Sequence, residues 1–175
     1  MILSPHWYTR TTLTGLLSFG IAAVSGYTTW FRVRNVPAVA RLAAWITILE
    51  SLLFFDVAFD GRWILHGKIM QIALHQGLYE RRRGMQIAGL AIVLVILLTV
   101  MVIKTSALRG RRGAIMAACG ALLSLALWCV EVISLHEFDA VLYHKVGGFM
   151  VIAFIWIVLC ATTAISLQSE GRAAK

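Results

Sequence analysis

The stretch Met85–Ile103, MQIAGLAIVLVILLTVMVI, carries no charge over its whole length. A run of about 20 apolar residues matches the hydrocarbon thickness of a bilayer when coiled as an α-helix. Four further segments approach that length: 11–31, 42–59, 114–134 and 147–167. The chain is 60% hydrophobic, with a mean hydropathy of +0.84, whereas ordinary soluble domains are about 45–50% apolar. The fold class expected is therefore all-α. It is a single polytopic membrane domain over 1–175, with about five transmembrane helices.

The connection from Asp60 to Gly84 is too long for a bare turn between helices. Its middle, 62–79, contains no proline and reads as a sixth helix lying at the membrane interface. Its apolar residues are spread around the helix, so it is expected to pack between headgroups and the rest of the protein rather than float as a segregated amphipath. In the first span Ser18, Ala22 and Gly26 recur every four residues, a stripe that lets a neighbouring helix approach closely. Arg10 and the small residues Ala23, Ser25 and Gly26 also imitate a cleavable leader; the retained helix is the reading favoured here.

Net charge is +8. The basic residues form short clusters beside apolar runs, without the interleaved aromatics that bind single-stranded nucleic acid, so nucleic acid is not an expected partner. The loops Arg32–Arg41 and Lys104–Arg112 contain basic residues and no acid. Basic loops stay on the cytoplasmic side, which places the N-terminus outside. Five spans also put the N-terminus, the 60–84 connection and the 135–146 connection on one face. That face then holds His6, His66, His75, His136 and His144, all the histidines of the chain.

Candidate chemistry divides into three groups. Glu50, Asp56 and Glu131 are carboxylates within or near the ends of spans, where a charge costs on the order of 3 kcal/mol or more. Glu50 is expected to face other helices and to hydrogen-bond a Ser, Thr or backbone carbonyl there, with Thr47, one turn earlier, as a local candidate. Asp56 and Asp60, four apart, would share a helix face near Arg62 and His66. This arrangement reads as an interfacial salt-bridge network, or alternatively as a paired-carboxylate acid–base site.

The second group is His66, His75, His136 and His144, candidates for holding haem or a metal. On one helix His66 and His75 point in opposite directions, at about 100° per residue. HExxH and HxxxH spacings are absent, so a shared ion would have to bridge connections. Cys119, Cys129 and Cys160 sit inside apolar runs and read as buried thiols.

The third group comprises Arg81, Arg82 and Arg83 with Glu137 and Asp139. Three adjacent guanidiniums at the start of a helix call for anions, so an arginine is expected to clamp Glu137 or Asp139. The strings that carry them are Gly77-Leu78-Tyr79-Glu80-Arg81-Arg82-Arg83-Gly84-Met85-Gln86 and Ser134-Leu135-His136-Glu137-Phe138-Asp139-Ala140. They resemble signatures of a group of small bacterial inner-membrane proteins, with Gly84 where that group has proline. The resemblance implies an inner-membrane location and carries over no assigned activity.

GxSxG, P-loop and dinucleotide-binding motifs are missing, which leaves catalysis open. The leading functional reading is a non-catalytic membrane subunit or scaffold that binds lipid, a partner subunit or a second copy through its histidine-bearing face. The alternatives are a haem- or metal-binding electron-transfer protein, and a small transporter or enzyme using Glu50 and Glu131.

Overall fold

The computed structural model describes residues 10–77, 82–106 and 108–173. In chain order the described elements are α1 (Thr11–Arg32), α2 (Pro37–Phe59), α3 (Gly61–His75), α4 (Arg82–Ser106), α5 (Arg112–Ile133), α6 (His136–Leu142), β1 (Lys145–Val146), β2 (Phe149–Met150) and α7 (Val151–Ala173). The helices α2, α4, α5 and α7 are long and apolar enough to cross a membrane. The chain is an all-α membrane helix bundle.

The expected first span, α1, is a special case. At 22 residues it is about 33 Å long, but its threonines, serines and glycines dilute its apolar character. The fold sorts those residues by face. Gly15, Ser18, Ser25, Gly26 and Thr29 are buried, whereas Leu13, Leu17, Ile21, Val24, Tyr27 and Phe31 point outward. Lipid would meet only the second set. Small residues at the helix contact let backbones approach, because lipid provides no hydrophobic drive between helices.

α1 runs antiparallel to α2 and parallel to α7. A Cβ on Gly26 would sit 2.6 Å from Thr47 Oγ1, and one on Gly15 would sit 2.8 Å from the Trp156 ring. α5 crosses α7 in the opposite sense, with Gly120 against Thr163 and Leu159. The main core fills the α1–α2–α7 junction with Phe19, Ala22, Leu53, Val57, Leu142, Ile152, Trp156 and Cys160. α4 packs chiefly on α5 and leaves most of its apolar surface open. α3 lies across one end, against α2 and α5.

Several boundaries differ from the sequence expectation. α7 starts at Val151 rather than 147, because β1 and β2 form a tiny antiparallel hairpin, Lys145 opposite Met150. Its turn places Gly147 and Gly148 at φ 60° and 84°, a region open to glycine. α2 begins five residues earlier than 42, at Pro37, since proline's fixed φ suits a first helical turn. The interfacial helix ends at His75 rather than 79. Asp60 does not continue the face of Asp56: it adopts φ 54° and turns the chain from α2 into α3. Ser134 makes the same kind of elbow between α5 and α6, at φ 52°. Short polar residues tolerate this left-handed conformation better than most.

Candidate functional site at the histidine-bearing end

The elbow at Asp60 drives Arg62, in the first turn of α3, back into the bundle. Arg62 is buried, and its Nη1 donates to Glu131 Oε1 on α5 at 2.6 Å. Tyr143 Oη donates to the same carboxylate oxygen at 3.2 Å. The guanidinium carbon stands 5.0 Å from the centre of the Trp156 ring, within cation–π range. A buried charge is tolerable when paired and hydrogen-bonded, and Glu131 has both kinds of partner. Tyr143 is pushed above the ordinary phenol pKa by burial, reinforced by the negative charge of Glu131, so it remains a donor. Asp56, near the end of α2, lies close enough to Arg62 to interact with it electrostatically and completes the cluster.

A cavity of about 640 Å³ opens beside this cluster. One wall is α3, through His66, Ile69, Met70 and Ala73; the facing wall is α4, through Arg83, Met85, Gln86 and Gly89. The end of α5 and the start of α6 close the back. Three contacts hold the walls. His66 Nδ1 lies 3.1 Å from the Val132 carbonyl; a carbonyl can only accept, so Nδ1 donates. Gln86 Nε2 donates to the Ile133 and Ser134 carbonyls at 2.9 and 3.1 Å, satisfying acceptors left over at the end of α5. At the rim Arg83 Nη2 donates to Glu137 Oε1 at 2.7 Å.

The residues singled out from sequence fall in different places. Arg83 meets Glu137, whereas Asp139 accepts from Ser134 Oγ at 2.5 Å. His6 and Arg81, with the side chains of Arg82 and His136, lie outside the described residues. His75 and His144 are exposed, and of the described histidine side chains His66 lines the cavity. Among the described residues no group of three or more His, Cys, Asp or Glu side chains could hold a metal ion. The three cysteines are free thiols.

Glu50 is fully buried among helices, but Thr47 is not its partner. Thr47 Oγ1 donates back to the Ala43 carbonyl at 2.8 Å, the local bond that a helical threonine makes most readily. Glu50 Oε2 instead faces Cys160 Sγ at 3.8 Å, and Oε1 has no hydrogen-bond partner among the described residues. Glu50 and Glu131 therefore serve separate sites. Sequence reasoning missed the roles of Gln86 and Tyr143. A lone amide at the head of the most apolar run was the available signal for Gln86; nothing local marked Tyr143.

Compared with known protein families, curated proteins and solved structures, the chain matches none.

Proposed function

We propose that the protein is a non-catalytic integral membrane subunit or scaffold whose histidine-bearing end holds the apolar chain of a membrane lipid in the cleft between α3 and α4. The observation that carries this reading is the 640 Å³ cavity, within the range of small-molecule sites of about 300–1,000 Å³. Its α3 and α4 walls offer Ile69, Met70, Ala73 and Met85 beside the polar His66, Arg83 and Gln86, with Ser134, Glu137 and Asp139 at the back. An apolar stretch next to polar groups suits an amphiphile. The location proposed is a bacterial inner membrane with the N-terminus outside, supported by the two acid-free basic loops. The largely uncovered α4 supports assembly with another membrane subunit or a second copy.

The test uses the purified full chain in mild detergent, with retained lipid counted by native mass spectrometry. Gly89 lines the cleft and a Cβ there would meet nothing within 4 Å, so Gly89→Phe is chosen to occupy the cleft. Loss of retained lipid in Gly89→Phe is expected. Equal retention by both proteins would overturn the cleft as the binding site.

A further inference from the structure

The ion pair at the rim is built differently from the one in the interior. Arg62 and Glu131 are buried, with side-chain exposures of 10% and 1%; Arg83 and Glu137 stand at 75% and 58%. Arg83 uses Nη2 on one oxygen, Glu137 Oε1. A guanidinium has five N–H donors in a planar fork, so most of its donor capacity remains outside this bond. The pair joins the start of α4 to α6, and both residues line the cavity whose α3 and α4 walls also present Ile69, Met70, Ala73 and Met85. An exposed ion pair contributes little and exchanges readily for another anion. Arginine favours planar, two-oxygen partners such as phosphate.

We propose that Arg83 is the headgroup site of this cleft and that Glu137 is its resident competitor. A phospholipid phosphate takes Arg83 while the acyl chain lies along Ile69, Met70, Ala73 and Met85. Glu137 gives up its bond to Arg83 in the exchange. This rests on the cleft reading above and adds the chemical class of the ligand and the residue that tunes its affinity. The exchange breaks no covalent bond: one charge-assisted hydrogen bond to carboxylate is replaced by one or two to phosphate.

The consequence is directional. Removing the acid strengthens lipid binding, although Glu137 lies at the site. Phosphatidylglycerol is titrated into the purified full chain in detergent, and bound lipid is counted by native mass spectrometry for wild type, Arg83→Gln, Glu137→Gln, the double variant and Gly89→Phe. Glu137→Gln is expected to bind about two- to fivefold more tightly, the range spanned by exposed pairs. Arg83→Gln is expected to lose affinity. The double variant should match Arg83→Gln, because Glu137 acts only through Arg83. A general attraction between a more basic protein and an anionic lipid would instead give the same gain in both backgrounds, and that result overturns the proposal. So does unchanged binding in Arg83→Gln. Lipid loss in Gly89→Phe with no effect of either rim substitution removes the phosphate site and leaves the cleft standing. Unchanged binding in Gly89→Phe removes both. Because both rim side chains are exposed, their substitution leaves the fold intact, and a thermal melt of each variant verifies this. Ala73→Phe, on the opposite wall, repeats the cleft test if Gly89→Phe does not fold.

Discussion

Arg62 on α3 and Glu131 on α5, 69 residues apart in the chain, form a buried 2.6 Å ion pair at the point where α2, α3, α5 and α7 converge. It anchors the N-terminal end of α3, while the C-terminal half of α3 forms a wall of the cleft. Breaking such a pair leaves one uncompensated charge in a dry site. Arg62→Met and Glu131→Leu are each expected to destabilise by about 3–5 kcal/mol. The double variant should lose less than the sum of the two, since the unpaired charge disappears with its partner. Thermal unfolding of the purified protein in detergent measures all three, and additive losses would show that the pair does not act as a unit.

Tyr143 supports the same carboxylate. With a phenol pKa raised in the folded protein, the unfolded chain loses its proton first as pH rises past about 10. The stabilisation is therefore complete below pH 10 and declines as pH rises toward the higher folded value. Stability curves between pH 8 and pH 11.5 should fall less steeply for Tyr143→Phe than for wild type. Tyr143→Phe should also be less stable near neutrality, by about 1–3 kcal/mol for the lost buried hydrogen bond. Parallel pH curves would separate Tyr143 from the titration.

Glu50 is costly where it stands: one carboxyl oxygen faces a thiol, and the other is buried with no hydrogen-bond partner among the described residues. Glu50→Met, similar in length and free of polar oxygens, is expected to stabilise the protein by about 1–3 kcal/mol. The same detergent melt reads the sign. A loss of stability would mean that the carboxyl has a partner whose contribution exceeds the cost of its burial.

Helix contacts give a matched pair of glycine substitutions. A Cβ on Gly120 would press on Thr163 Oγ1 and stand 3.2 Å from the Leu159 carbonyl, so Gly120→Ala should force α5 away from α7 at a cost of about 1–3 kcal/mol. Gly89→Ala meets open space and should gain up to about 1 kcal/mol from helix propensity. Equal effects at the two sites would contradict the packing described.

The helical, membrane-spanning character of this chain is legible in its amino-acid sequence, because length and apolarity are local properties of a run such as Met85–Ile103. The placement of the polar loops near one another follows from the parity of the spans, and the Arg83–Glu137 pairing is within reach of that argument. Boundaries slip where turn chemistry intervenes, as at Gly147–Gly148, whose positive φ values delay α7. The choice of partner is not legible in the same way. Thr47 lies one turn from Glu50 yet bonds its own backbone, while Cys160, 110 residues away, takes the contact. Arg62 has Asp56 and Asp60 nearby in the sequence, yet its Nη1 bonds Glu131 on α5, 69 residues away. Lipid enforces helices one at a time, through backbone hydrogen bonds that each segment satisfies alone. Which faces meet depends on the close approach of Gly15, Gly26, Gly113 and Gly120 to residues far along the chain, and that is a property of the packed bundle.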